Sequence, residues 1–186
     1  MGSAKQAYID AMTRMLKIMS IEQIRVKDIC AETHTNRHTF YYYFNDKHEL
    51  VSLVFKETIE GYIRSNQDIL SKDVGIRILE KIKEDKIFYK NALLYRGDNA
   101  LGGYILEYCY RLLTKMAYRN LSRIELTYEE LAVLRYHTYG IVGLMYDWID
   151  HDCTPSGEDL LDTMVKMIPP YLHAPDSARD AIEDGD

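Results

Sequence analysis

Two phenylalanines four residues apart, Phe40 and Phe44, bracket three consecutive tyrosines in the stretch VKDICAETHTNRHTFYYYFNDKHEL, Val26 to Leu50. That spacing puts both phenylalanines on one helix face and predicts a helix rather than a strand. With Ile29 they can point inward, so Arg37, His38, Thr39, Tyr41, Tyr42 and Tyr43 must point elsewhere. A short helix with so many donors and aromatics on its outer face is suited to touching a polar polymer. The pattern of short helix, tight turn and second short helix predicts a helix-turn-helix that docks on DNA.

The rest of the chain agrees with a helical protein. Only 4 prolines and 10 glycines occur in 186 residues, so few segments are forced into turns. Helical periodicity places Tyr8, Ala11, Met12, Met15, Leu16 and Met19 on one face of a first helix over Lys5–Met19. A second helix is expected over Val26–Thr33 and a third over Arg37–Phe44. His34-Thr35-Asn36 is the turn between them, and Asn36 is placed to cap the third helix. Asp46 can cap a long fourth helix from Lys47, which carries Leu50, Val51, Val54, Phe55, Ile59, Tyr62 and Ile63 inward. Further helices are expected over Val74–Glu84, Lys86–Tyr95 and Leu101–Leu121. Thr127 with Glu130 and Ser156 with Asp159 read as capping boxes for the last two.

These elements predict an all-α chain with an N-terminal three-helix DNA-binding domain over 1–50. The long fourth helix joins it to a helical effector-binding and dimerisation domain over 51–173. Residues 174–186 are acidic, nearly devoid of large apolar groups, and expected to be disordered. The net charge of −6 is an objection to DNA binding, but its distribution answers it. Residues 1–50 hold seven Lys and Arg against six Asp and Glu, about +1, so the acidity lies in the remainder. Phosphate contact depends on local charge rather than on the sum.

Other chemistries lack a pattern. There is no Gly-rich phosphate loop, HExxH or GxSxG. His34 and His38 do not share a helix face, because His34 sits in the turn, and His151 and Cys153 have no matching pair, so no metal or other cofactor is expected. Cys30, Cys109 and Cys153 form no CxxC and no even framework, which predicts a reducing cytoplasm. No apolar run reaches the roughly 18 residues of a membrane span, and MGSAKQAY lacks the apolar core of a secretory signal. No enzymatic function is expected.

The first 50 residues closely resemble the N-terminal domain of TetR-family transcriptional regulators. That family pairs a Val-x-Asp-Ile-Ala helix with Ser-Arg-x-Thr-Phe-Tyr-x-His-Phe and a following Lys. Here the positions read Val26, Asp28, Ile29, Cys30, then Asn36, Arg37, Thr39, Phe40, Tyr41, Tyr43, Phe44 and Lys47. Two departures stand out: His34 replaces the usual turn Gly, and Arg25 replaces the usual Thr or Ser cap. The stretches Lys83–Leu94 and Tyr136–Leu160, with Gly140, Gly143, Trp148 and Pro155, resemble a TetR subgroup that includes regulators like those of dihydroxyacetone kinase operons.

The resemblance implies roles. Arg37, with His38 and Thr39, lies at the end of a recognition helix that reads bases, while Asn36 is first of all a cap. Tyr41, Tyr42 and Tyr43 would donate to phosphates, and Lys47 and Lys27 would add cations where helices begin. A homodimer would set two recognition helices one DNA turn apart, over a palindromic operator. Its interface is expected from the last two helices: Gly140 and Gly143 for close approach, with Leu144, Trp148, Leu161, Met164, Val165 and Ile168. An effector, a small molecule or a protein, would sit near Phe88, Tyr89, Tyr104, Tyr108, Cys109, Leu112, Met116 and His137, although such positions also suit plain core. The expected function is a repressor released by that effector. Two alternatives stay open: a co-regulator of the same fold acting mainly through a protein partner, and a small-molecule-binding helical protein with a vestigial head.

Overall fold

The computed structural model describes residues 4–64, 72–95, 97, 100–123 and 125–172. The expected tail at 174–186, and the side chains of Tyr62 and Ile63, lie outside the described residues. Among the described residues there are nine α-helices and no strand. They are α1 (Ala4–Leu16), α2 (Val26–Glu32), α3 (Arg37–Tyr43), α4 (Lys47–Arg64), α5 (Lys72–Glu84), α6 (Lys86–Leu93), α7 (Leu101–Leu121), α8 (Tyr128–Asp150) and α9 (Gly157–Met167). A 3₁₀ turn at Pro170–Leu172 follows.

The chain divides into two units, Met1–Gly61 with Glu84–Tyr104, and Tyr62–Lys83 with Ile105–Asp186. The division falls ten residues beyond the boundary expected near Val51, and it returns α6 and the start of α7 to the first unit. The reason is local: Leu50, Val51, Val54, Phe55 and Ile59 of α4 are all buried, so the first turns of that helix serve as core.

The first unit is organised around Tyr8 of α1, which is fully buried. Its ring meets Phe40 and Phe44 edge-on, with centroids 5.6 Å away in both cases. Its hydroxyl donates to Thr35 Oγ1 at 2.7 Å, so the polar end of the ring is satisfied inside the fold. The α2–α3 turn is a Schellman motif: His34 N–H donates to Ala31 O and Thr35 N–H to Cys30 O. That motif needs a left-handed residue after the helix, and His34 takes it with φ 53° in place of the usual glycine. Asn36 then caps α3, its side chain accepting from Thr39 N–H at 2.9 Å. Asp46 Oδ1 caps α4 by accepting from the backbone of His48 and Glu49.

In the second unit, Leu113 and Ala117 of α7, Leu134 of α8 and Leu172 pack together, with Met116 and Ile168 against them. Both expected caps form: Thr127 with Glu130 on α8, and Ser156 accepting from Asp159 N–H on α9. Two glycines allow close approach within this unit. A Cβ on Gly75 would lie 2.9 Å from Leu161 Cδ2, and one on Gly157 would lie 2.9 Å from Leu79 Cβ, so α5 and the start of α9 touch closely.

Two of the expected interface residues, Trp148 and Met164, are corrected by this packing. Trp148 is 2% exposed, and its indole N–H donates to Pro155 O at 2.7 Å. Leu161, over Gly75, and Ile168, against the Leu113 cluster, are half-buried. Met164 is buried like Trp148, and buried side chains have little surface left for a second chain. Trp148→Ala is therefore expected to cost about 3–5 kcal/mol of folding stability through lost packing and an orphaned carbonyl. Urea unfolding checks it, and a change confined to sedimentation would return Trp148 to an interface.

Candidate nucleic-acid interface

The inner face of α3 is fixed by Phe40 and Phe44, so its other side chains face outward. Arg37 and His38 are exposed at its N-terminal end. Thr39 is less free than expected. Its hydroxyl sits 3.2 Å from the Asn36 side-chain oxygen that also accepts from its backbone N–H, so Asn36 and Thr39 form one capping unit.

The three tyrosines differ in support. Tyr42 is the most open, 78% exposed, with its ring edge-on to Tyr43 at 5.0 Å. Tyr41 is braced edge-on by Phe40, and Tyr43 leans toward Tyr8 at 6.1 Å. Each therefore has an aromatic wall behind it and an exposed flank. That is the arrangement a phenol needs to hold a hydroxyl toward an external acceptor.

Arg37 and Tyr41 also line a cleft of about 350 Å³, together with Arg25, Val26, Asp46, Lys47 and His48. The starts of α2, α3 and α4 thus meet at one concave surface carrying Arg25, Arg37 and Lys47. Arg25 and His48 were not among the expected site residues. The signal for Arg25 was its place at the cap position of α2. Its partner there is Asp28, whose carboxylate accepts from both Arg25 N–H and Arg25 Nε. This supplies the cap from within the helix, and the guanidinium beside it holds the Asp28 carboxyl below the usual range.

Lys47 departs from expectation. Its ammonium does not project into solvent but donates to the carbonyls of Ile21 and Ile24 at 2.7 Å each, and to Glu22 O at 3.4 Å. Burial pushes its pKa down, while Glu22 and Asp46 pull it up. Its neighbour His48 stacks on Tyr95 with centroids 3.8 Å apart, and burial lowers its pKa, with Lys47 adding to the effect and Asp46 opposing it. Lys27, by contrast, is exposed at the second position of α2.

The expected effector residues divide between the two units. Phe88 and Tyr89 are buried, and Phe55 packs edge-on against both Tyr89 and Tyr104, so these three pocket candidates belong to the aromatic core of the first unit. Tyr108, Cys109, Leu112, Met116 and His137 belong to the second and are half-buried. Burial pushes the Cys109 thiol up to about 12 and lowers the His137 pKa. Another cavity of the first unit, about 520 Å³, is lined by Asn45, Glu49, Ser52, Ala100, Gly103 and Tyr104, among others, so it shares only Tyr104 with the expected set. Among the described residues no helix is long and apolar enough to cross a membrane, and no cluster of three His, Cys, Asp or Glu is placed to hold a metal.

Residues 71–170 match the TetR_C_8 family, described as a transcriptional regulator C-terminal region. A curated relative, the HTH-type dhaKLM operon transcriptional activator DhaS of Lactococcus lactis subsp. lactis (strain IL1403), is 24% identical over 138 residues, covering 72% of this chain and 73% of its own. A solved structure named dihydroxyacetone kinase operon activator DhaS superposes with a TM-score of 0.62 at 23% identity. It covers 88% of this chain and 92% of its own, and shows the same fold. These proteins are regulators rather than enzymes. With more than half of its length matched to the family's C-terminal region, the chain belongs to the TetR-type transcriptional regulators.

Proposed function

We propose that this regulator works in the cytoplasm, binding double-stranded DNA through the outer face of α3. Two copies would form a homodimer on a palindromic operator. The observation that carries the reading is a seven-residue helix locked inward by Phe40 and Phe44 while Arg37, His38, Tyr41 and Tyr42 stand exposed. Arg37 reads a base edge, with His38 beside it and Asn36 and Thr39 fixing where the helix begins. Tyr41, Tyr42 and Tyr43 donate to phosphates, with Lys27 and Arg25 as nearby cations. An effector in the C-terminal region biases the dimer between two spacings by roughly 1–3 kcal/mol.

Repression is the sign expected from the wider family. The curated relative and the solved structure named above are each called an operon activator, and we take activation as the sign they favour for this chain. Reporter transcription with and without the regulator decides between the two.

Support for a dimer surface comes from α8. Tyr136, Tyr139, Gly140 and Gly143 follow one another at helical spacing and are exposed, and a Cβ on either glycine would meet nothing within 4 Å. Half-buried Leu144 and Val165, from the expected set, would extend that surface. Tyr139 is 60% exposed, so Tyr139→Arg leaves the fold intact. It is expected to move sedimentation from dimer to monomer; an unshifted dimer would take α8 out of the interface.

Binding to the DNA upstream of its own gene, followed by fluorescence anisotropy at two salt concentrations, tests the central reading. Tight binding that weakens steeply with salt and exceeds that to a scrambled duplex is the expected result. Binding no better than the scrambled control would point to the protein-partnered co-regulator. A ligand-induced rise in melting temperature without any effect on DNA would point to a vestigial head.

Two variants separate the roles on α3. Arg37→Ala is expected to cost about 1–3 kcal/mol and to relax the preference at one operator position. Tyr42→Phe is expected to weaken all sequences alike, because a phosphate carries no base identity. A sequence-selective loss from Tyr42→Phe would contradict its phosphate role.

A further inference from the structure

The connection between α1 and α2, residues 17–25, is held from two sides at a single residue. The backbone N–H of Ile21 donates to Asn91 O on α6 at 3.2 Å, and the backbone C=O of Ile21 accepts from Lys47 Nζ on α4 at 2.7 Å. Asn91 reinforces its side by donating from Nδ2 to Leu16 O at 2.8 Å, where α1 ends. Lys47 reinforces its side through Ile24 O at 2.7 Å and Glu22 O at 3.4 Å. Lys17 adds an ion pair with Asp85, at the start of α6, at 3.2 Å. The side chains of Ile21 and Ile24 are buried beneath these bonds.

An ammonium has three donors and no acceptor, and here all three find carbonyls. Lys47 thus gives the Ile21, Glu22 and Ile24 oxygens of this irregular segment a shared donor. That arrangement is not the one a phosphate ligand needs, because an ammonium engaged with three carbonyls must abandon them to reach a phosphate.

We propose that Lys47 and Asn91 are positioning residues that clamp the α1–α2 connection between α4 and α6, so that the placement of α2 and α3 on DNA follows the position of α6. The inference rests on the DNA-binding reading above. It assigns Lys47 an indirect role and gives Asn91, remote in sequence from the recognition helix, an effect on operator affinity. Ile21 is the shared element, since one peptide segment carries both bonds.

The test uses the full chain and three variants, with operator affinity measured across a salt series. Lys47→Met and Lys47→Arg are both expected to weaken binding by about tenfold or more, with the log–log salt slope unchanged. Arginine keeps the charge but cannot converge three donors from one atom on these carbonyls. Asn91→Ala is expected to weaken binding too, and Lys47→Met with Asn91→Ala to fall short of the product of the single effects, as for residues sharing one element. Thermal melting of each variant confirms that folded protein is compared.

A phosphate contact would give a different pattern. Lys47→Arg would then bind like the unsubstituted chain, and Lys47→Met would lose about 0.9 of slope per contact. That result overturns the proposal, as does undiminished affinity in all three variants. If the unsubstituted chain shows no salt-sensitive binding above the scrambled control, the DNA reading fails by itself. Amide exchange at Ile21 in the free protein then decides the clamp. Slow exchange that accelerates in Lys47→Met and in Asn91→Ala supports it, and equal rates in all chains overturn it.

Discussion

Everything proposed for the first unit depends on one buried ring. Tyr8 meets Phe40 and Phe44 edge-on, and its hydroxyl is spent on Thr35. The edge contacts fix the rotation of α3 about its axis, and the hydroxyl fixes the turn that precedes it. Once both are set, the outer face of a seven-residue helix has no freedom in what it presents. An isolated helix of this length would be unstable in water, so its order comes almost wholly from this packing and from its two ends. A phenylalanine at position 8 would keep the packing but leave the Thr35 hydroxyl without this partner. The turn would then rest on backbone bonds and on Thr33 Oγ1, 2.9 Å from Thr35 Oγ1.

Capping explains how such short helices start and stop where they do. The Schellman motif ends α2, Asn36 begins α3, and Asp46 begins α4, all within about 14 residues. His34 bears the conformational cost of a left-handed backbone that glycine would avoid. The turn's hydrogen bonds and the Tyr8–Thr35 contact, both set by the same few residues, offset it. Arg25 follows a similar logic: the helix lacks a side-chain acceptor at its cap, and Asp28 bonds back to the cap backbone instead.

The parts legible in the sequence are those governed by local rules. The helices appear within a few residues of their expected bounds, because periodicity and caps such as Thr127, Ser156 and Asn36 act over one or two turns. What could not be read were choices between two surfaces of comparable apolarity. Trp148 and Met164 suit an interface as well as a core by composition, and only tertiary packing shows that they are spent internally. The glycines show the same ambiguity. Within the unit the close approaches fall to Gly75 and Gly157, which no short-range pattern marked, while Gly140 and Gly143 stand open.

Lys47 shows why residue type alone underdetermines role. A lysine at the start of a helix beside a recognition element is a reasonable phosphate ligand by charge and place. Its actual partners are carbonyls 23–26 residues earlier in the chain, and nothing local in the sequence reveals them. The clamp makes physical sense for a regulator. An irregular connection is a softer link than a helix, and in the proposed clamp its fastening to both α4 and α6 would let it transmit displacement. A phosphate contact at the same site would strengthen binding equally in every state of the body. A clamp can distinguish those states, and a regulator needs that distinction, since an interaction equal in both conformations shifts neither.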